Sequence, residues 1–167
     1  ERVCSETEGV VSVANYNCPG QTVITGEENA VAAAAAAMKE AGAKRCMPLK
    51  VSGPFHSAML AEAGEKLAKE LEHVEIHDIS VPYITNVTAD YVTDKSQVKE
   101  LLKQQISSSV RWQQSVERMI ADGVEIFIEI GPKKSLTGFL KKIDKSVAAY
   151  HVDTMADLDA LCEAVLQ

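Results

Sequence analysis

Helix-type and strand-type segments alternate after residue 53 of this 167-residue chain, and this alternation is the strongest constraint on its fold. The apolar patterns predict helices over residues 57–73, 95–107, 112–121, 134–143 and 156–166, and strands over residues 81–87, 124–130 and 147–152. Strands that alternate with helices mostly form parallel sheets with helices on both faces. We therefore predict an α/β protein with a parallel-sheet core.

The first 52 residues follow a different order. A helix end over residues 1–8 precedes strands over residues 10–14 and 21–25, a helix over residues 27–41 and a strand over residues 43–51. Residues 15–20 are predicted to be a long loop between the first two strands. The order matches a ferredoxin-like βαββαβ unit without its first strand. We expect a truncated ferredoxin-like α+β subdomain at residues 1–52 and the α/β core at residues 53–167.

The chain also opens in the middle of a predicted helix, without an initiator methionine. We therefore expect it to be a piece of a longer protein.

Charge and composition argue against several classes of protein. Lys and Arg number 17 against 24 Asp and Glu, a net charge of −7, which disfavours general nucleic-acid binding. No apolar run approaches the roughly 18 residues that cross a bilayer, so we expect no membrane span. The four cysteines form no Cys-x-x-Cys motif and no secretory signal is visible, so we expect free thiols in a cytoplasmic protein.

The segment Gly53-Pro54-Phe55-His56-Ser57 lies where a predicted strand ends, a predicted helix begins and the two predicted subdomains meet. Clefts between domains are favoured ligand sites, and a histidine beside the start of a helix suits a general base. The alternative is a histidine that caps the helix or faces solvent. Ser57 is a poor nucleophile for His56, because side chains of adjacent residues rarely reach each other.

Two further segments combine turn residues with polar side chains. Asn15 to Gln21 places two asparagines around an aromatic residue before a Pro-Gly pair, and its alternative is an ordinary hairpin loop. Glu129 to Leu136 forms a strand-to-helix turn in which Gly and Pro could be purely structural. His73 and His77 are four residues apart, but the helix is predicted to end between them, so we expect no metal site.

Four motifs in this order resemble the malonyl-CoA:acyl carrier protein transacylase family. They are Asn-x-Asn-x-Pro-Gly-Gln from Asn15, Gly-Pro-Phe-His-Ser from Gly53, Val-x-Trp at Val110 and Glu-Ile-Gly-Pro-Lys from Glu129. The resemblance covers essentially the whole chain but only the C-terminal half of the family. It implies a hydrolase-like acyltransferase core. The family's nucleophilic serine, in Gly-His-Ser-x-Gly, and its substrate-binding arginine belong to the N-terminal half.

The resemblance assigns roles to individual residues. His56 matches the catalytic histidine, and Gln105 matches the residue whose carbonyl orients it, with Gln104 as the alternative by one residue of register. Asn17 matches an active-site asparagine. Phe55 occupies the position where related malonyl-selective domains carry Phe, although some bacterial relatives have a small residue there.

The resemblance implies malonyl transfer from coenzyme A to acyl carrier protein in fatty acid synthesis, with no metal or cofactor, and a monomer at full length. Alternatives are an acyltransferase domain of a polyketide synthase and a non-catalytic fragment that binds carrier protein. Acyl carrier proteins are acidic, so we expect a local basic patch. The candidate residues are Lys133, Lys134, Lys141 and Lys142, and Lys134, Lys141 and Lys145 share one helical face if the helix extends that far. Their alternatives are a merely solvated helix face and a patch at Lys44, Arg45 and Lys50.

Overall fold

Seven α-helices and six β-strands make up residues 1–165, the part of the chain that the computed structural model describes. They are α1 (Arg2–Glu6), β1 (Val11–Cys18), β2 (Gln21–Gly26), α2 (Glu28–Glu40), α3 (Ala61–Glu72), β3 (Tyr83–Ile84), β4 (Tyr91–Val92), α4 (Val98–Ser107), α5 (Trp112–Ala121), β5 (Ile126–Ile130), α6 (Ser135–Ile143), β6 (Ala148–Val152) and α7 (Met155–Val165). The predicted helix over residues 156–166 corresponds to α7, and its last residue, Leu166, lies outside the described residues. No helix in the described part is long and apolar enough to cross a membrane.

Strands β5 and β6 confirm the α/β prediction of a parallel sheet. They pair in parallel from Ile126 opposite Ala148 to Ile130 opposite Val152, and α6 connects them. The predicted boundaries at both strands shift by at most two residues, because the alternating apolar pattern is local and needs no distant partner. Helices α4 and α5 also start and end close to their predicted bounds, with a short 3₁₀ turn at Lys95–Gln97 ahead of α4.

Strands β1 and β2 form an antiparallel hairpin, and the predicted long loop over residues 15–20 is wrong. Strand β1 continues through Cys18, so only Pro19 and Gly20 form the turn, with Gly20 at φ +79°. A positive φ suits glycine, which has no Cβ to clash with the backbone. The polar residues of this segment stay in the strand because β1 has hydrogen-bonding neighbours on both of its edges.

The second neighbour of β1 is the segment just before α5. The Val110 N–H donates to the Ala14 carbonyl at 2.7 Å, and the Tyr16 N–H donates to the Val110 carbonyl at 2.9 Å. Ser109 Oγ also donates to the carbonyl of Val13. These bonds bring the start of α5 beside β1 and cross the predicted boundary at residue 52. The division into subdomains at that residue stays a prediction.

The predicted strand over residues 43–51 is wrong, so the ferredoxin-like order is incomplete in the described residues. This segment has no ladder partner there, and its backbone bonds are local ones, from Ala43 N–H to the Met38 carbonyl at 2.9 Å and from Val51 N–H to the Leu49 carbonyl at 3.1 Å. Pro48 has no N–H to donate. Met47, Leu49 and Val51 are 58%, 59% and 64% exposed. A strand depends on a neighbour, and no strand of residues 1–165 pairs with this segment. The predicted strand over residues 81–87 is likewise reduced to Tyr83–Ile84.

Candidate active site

The backbone at His56 is held in an unusual conformation by its neighbours. Its φ is +60°, a left-handed value that is uncommon for a residue with a Cβ and that costs about 1–3 kcal/mol. The Phe55 N–H donates to the Gly53 carbonyl at 3.0 Å, and Ser57 Oγ donates to the Pro54 carbonyl at 2.7 Å. Ser57 is fully buried. This closed turn fixes the direction of the His56 side chain. The Ser57 hydroxyl is used in the bond to Pro54 and does not point at the imidazole.

The His56 ring lies against the end of α4. Its Nδ1 atom is 3.1 Å from the backbone carbonyl oxygen of Gln105, which lies in the last turn of the helix. The last four carbonyls of a helix have no partner within it, so this oxygen is free to accept. A carbonyl can only accept, so Nδ1 carries the proton and donates it. The other ring nitrogen, Nε2, is therefore left as the basic atom of the imidazole.

The structure places Gln105, and not Gln104, against His56. Gln104 is exposed, and its amide donates to Glu100 Oε1 at 2.8 Å along the outer face of α4. The side-chain amide of Gln105 also lies 3.5 Å from His56 Nδ1, but both groups are donors once Nδ1 bonds the carbonyl. The shorter backbone contact therefore sets the tautomer.

His56 opens into a cleft of about 540 Å³. The polar side chains on its walls are those of Glu1, Ser12, Tyr16, Arg111 and Gln114, together with Ser107 to Ser109. The Tyr16 hydroxyl donates to Glu1 Oε1. Burial, followed by this bond and the charge of Glu1, raises the pKa of Tyr16 to about 12. Tyr16 therefore stays a neutral donor at physiological pH.

The other predicted site residues lie outside the walls of this cleft. Asn17 follows Tyr16 on β1 as an extra residue of a β-bulge, since Tyr16 pairs with Thr22 and Cys18 with Gln21. Phe55 adjoins His56 but leaves 52% of its surface exposed.

The four candidate lysines are exposed at two ends of α6, with Lys133 and Lys134 before the helix and Lys141 and Lys142 in its last turn. The helix ends at Ile143, so Lys145 lies beyond it and the condition for a shared helical face is not met. Lys141 and Lys145 instead line a separate hollow of about 290 Å³ with Asp144.

Sequence reasoning missed Tyr16 and Arg111 as cleft residues. Both occupy variable positions inside motifs that were recognised, Tyr16 between the two asparagines and Arg111 between Val110 and Trp112. The β1 to Val110 hydrogen bonds bring these two motifs together. The recognised motif residues on either side of Tyr16 and Arg111 were therefore the sequence signal that could have identified them.

The arrangement can accept a proton at His56 Nε2. Among residues 1–165, no hydrogen bond joins this atom to a hydroxyl or thiol. The same residues contain no group of three or more His, Cys, Asp and Glu side chains that could hold a metal ion. The chemistry that the site offers is general base catalysis toward a group that enters the cleft.

Comparison with known proteins gives consistent matches along the chain. The sequence profile of the acyl transferase domain matches residues 2–158. A malonyl CoA-acyl carrier protein transacylase of Bacillus subtilis is 48% identical over 141 residues, 84% of this chain and 44% of that protein. The chain thus spans about half the length of the curated relatives it matches.

Solved structures match equally well. The transacylase described as MCAT from Streptococcus pneumoniae is 44% identical with a TM-score of 0.94, over 99% of this chain and 54% of that one. A malonyl-transacylase solved in complex with a type II PKS acyl-carrier protein is 39% identical with a TM-score of 0.92, over 97% of this chain and 53% of that one.

Proposed function

The chain belongs to the acyl transferase domain family, and from this premise we propose that it supplies the general base of a malonyl-CoA:acyl carrier protein transacylase. The observation that carries the proposal is the 3.1 Å contact between His56 Nδ1 and the Gln105 carbonyl, which leaves Nε2 basic in an open cleft. The names of the relatives supply the substrate class.

In the proposed reaction, His56 Nε2 takes the proton from a serine hydroxyl as the oxygen attacks the malonyl thioester carbonyl. The C–S bond breaks, coenzyme A leaves with that proton as a thiol, and malonyl remains on the serine as an ester. The phosphopantetheine thiol of acyl carrier protein then attacks this ester, and Nε2 accepts its proton and returns it to the serine oxygen. One thioester replaces another.

A backbone carbonyl is a sufficient partner for His56 in this scheme. The partner must hold Nδ1 protonated and keep the ring oriented, and the Gln105 oxygen does both at 3.1 Å. The nucleophile is the serine that the resemblance assigns to the family's N-terminal half. This chain's part in the reaction is therefore proton transfer and orientation.

We assign Asn17 and Phe55 to the substrate side of the same site. Phe55 directly precedes His56 in the closed turn, and 52% of its surface is exposed and therefore accessible to a substrate. Asn17 lies next to Tyr16, which lines the cleft. The bulge at Asn17 leaves its backbone outside the β1–β2 ladder and frees it to bond a ligand.

The proposed partner in the second half-reaction is acyl carrier protein, steered by lysines around α6. The chain carries a net charge of −7, so any attraction for an acidic partner must be local. Lys134 immediately precedes α6 and Lys142 lies in its last turn, so the two charges flank the helix. Both are exposed and form no ion pair with a carboxylate in the described residues.

We place the reaction in the cytoplasm, as expected from the free thiols.

The first test is the reading frame that encodes this chain. An in-frame Gly-His-Ser-x-Gly upstream of Glu1 provides the nucleophile, and transfer is then assayed on the complete product of that frame. A reading frame that starts at Glu1 instead supports a non-catalytic protein that binds acyl carrier protein.

The second test is His56→Ala in the complete product. Loss of the general base should lower malonyl transfer by about 10²–10⁴-fold. His77→Ala is the matched control, because His77 is exposed and its Nδ1 atom lies 3.8 Å from Glu75 Oε1, away from the cleft residues. Transfer by His56→Ala within tenfold of the unmodified protein would contradict the assignment.

A further inference from the structure

Arg111 is the only Lys or Arg among the described residues that line the His56 cleft. It is not the arginine of the resemblance, which belongs to the family's N-terminal half. Arg111 is not one of the residues that define the four motifs, because it occupies the variable position of Val-x-Trp.

The backbone of Arg111 is fixed on both sides. Its N–H donates to the Asn86 carbonyl at 3.0 Å, and its own carbonyl accepts from the N–H and the hydroxyl of Ser115, each at 2.9 Å. Ser115 is only 4% exposed. The preceding residue, Val110, is bonded to β1. The side chain therefore projects from a rigid point at the start of α5.

Most N–H donors of the Arg111 guanidinium have no hydrogen-bond acceptor within residues 1–165. Its Nη1 atom donates to the Thr88 carbonyl at 3.1 Å, which is its one side-chain hydrogen bond within residues 1–165. An arginine has five N–H donors, and a neutral carbonyl does not balance its charge. No carboxylate of the described residues lies within 4.0 Å of it.

Arg118, in the last turn of α5, differs from Arg111 because it is paired with carboxylates. Its guanidinium lies 2.9 Å from Asp122 and 3.7 Å from Asp90, on the solvent side. The charge of Arg111 instead acts across the cleft, where it opposes the burial and the Glu1 bond that raise the pKa of Tyr16. The Glu1 carboxylate is engaged by the Tyr16 hydroxyl and not by Arg111.

We propose that Arg111 binds an anionic group of the acyl donor in the cleft beside His56 and thereby contributes to donor specificity. This inference rests on the proposed function. A guanidinium with free N–H groups suits two-point binding of a carboxylate or a phosphate, because its planar fork matches both. The anion is either the acyl carboxylate or a phosphate of coenzyme A, and the two sources can be separated.

The experiment uses the complete product with Arg111→Gln, Arg111→Lys and the control Arg118→Gln, which removes one charge from the same helix. It measures kcat/KM for malonyl-CoA and for malonyl-pantetheine, which lacks the nucleotide phosphates, and the inhibition constant of free coenzyme A, which lacks the carboxylate. Arg111→Gln should lower kcat/KM for malonyl-CoA by about ten- to hundredfold, and Arg118→Gln by less than twofold.

The pattern across donors identifies the anion. If Arg111 binds the carboxylate, malonyl-pantetheine is impaired equally and inhibition by coenzyme A is unchanged. If it binds a phosphate, coenzyme A inhibits more weakly and malonyl-pantetheine is unaffected. Values for all three within twofold of the unmodified protein would overturn the proposal.

The Arg111→Lys variant distinguishes a loss of anion binding from a loss of stability. Arg111→Lys keeps the charge and a donor for Thr88 but loses the fork, so an intermediate loss of kcat/KM with an unchanged melting temperature supports anion binding. A fall in kcat alone, with KM and inhibition unchanged, indicates a structural role and overturns the proposal for Arg111.

If the unmodified protein transfers no malonyl, the proposed function fails. Titration of malonyl-CoA and coenzyme A against it and Arg111→Gln then still tests Arg111.

Discussion

Gly64 on α3 lies directly against the backbone of α4 at Lys103. A Cβ added at Gly64 would lie 3.0 Å from the Lys103 carbonyl oxygen and 3.8 Å from the Ile106 Cβ. Glycine thus allows the two helices to approach more closely than any other residue would. Gln105 follows two residues after Lys103, and His56 precedes α3, so this contact helps set the distance between the imidazole and its carbonyl partner.

We predict that Gly64→Ala impairs both stability and transfer. Alanine favours the helix by about 0.5–1 kcal/mol, but overpacking against a backbone atom costs about 1–3 kcal/mol, so the net loss should be about 1 kcal/mol. The displaced α4 should also lower kcat several-fold. Urea unfolding and steady-state transfer assays on the complete product measure the two effects.

Gly138→Ala is the matched control. Gly138 also lies inside a helix, α6, but a Cβ built there would have no atom within 4 Å from any other part of residues 1–165. The change should stabilise the protein by about 0.5–1 kcal/mol and leave transfer unchanged. Equal behaviour of the two variants would show that the α3–α4 contact does not matter.

Phe55→Ser should relax the preference for malonyl over methylmalonyl groups. If the ring narrows the acyl site next to His56, its removal makes space for a methyl branch, which is worth about 1–3 kcal/mol in an apolar pocket. The ratio of kcat/KM values for the two donors measures the change. Met59→Ser is a suitable control, because Met59 is similarly exposed, at 47% against 52%, and lies outside the closed turn. An unchanged ratio would remove Phe55 from the acyl site.

Charge reversal at the end of α6 should act on one half-reaction only. Lys141→Glu with Lys142→Glu should raise KM for acyl carrier protein, most strongly at low salt, and leave acylation by malonyl-CoA unchanged. Lys66→Glu with Lys69→Glu, two exposed lysines of α3, is the control for net charge. A loss in both half-reactions would indicate that the lysines support the fold. No change in either would favour Lys44, Arg45 and Lys50 instead.

Glu129 should make stability fall in acid. Burial raises its pKa, but hydrogen bonds from the Thr137 hydroxyl at 2.6 Å, the Thr137 N–H at 2.7 Å and the Leu136 N–H at 3.0 Å outweigh burial and hold the pKa below its ordinary value. A carboxyl group whose pKa is lowered by folding stabilises the protein above its ordinary pKa, and this contribution disappears as the pH falls through the folded value.

Glu129→Gln should therefore flatten the loss of unfolding free energy between about pH 5 and pH 3, since an amide does not titrate there. Urea unfolding at several pH values measures this, with the exposed Glu125→Gln as control. Parallel pH profiles for the unmodified protein and Glu129→Gln would contradict the prediction.

Local sequence patterns were enough to predict most helices and the parallel sheet. The alternating apolar residues of β5 and the amphipathic pattern of α5 lie within short windows, and their physical causes do so too. The segment Gly53 to Ser57 was also identified as a candidate site from its residues, but its closed turn and the positive φ of His56 were found only in the structure.

Other features depended on partners that are distant in sequence. Residues 43–51 have an acceptable strand composition but no pairing partner in the part of the chain that the structure describes, and they form no strand there. Residues 15–18 have turn-like composition, yet β2 on one side and Val110 on the other hold them in a strand. A strand is stabilised by its ladder, and the ladder is not encoded in the strand's own residues.

The sequence by itself determined which residue types were present for proton transfer, and a family resemblance was needed to pair His56 with Gln105 across 49 positions. Tertiary structure decided that the carbonyl of Gln105, rather than that of Gln104, accepts the imidazole N–H. Successive residues of a helix are rotated by about 100° around its axis, so only one of the two lies on the side that faces His56. Tertiary structure also decided that Tyr16 and Arg111 share the cleft with His56, since only the bonds between β1 and Val110 bring those segments together.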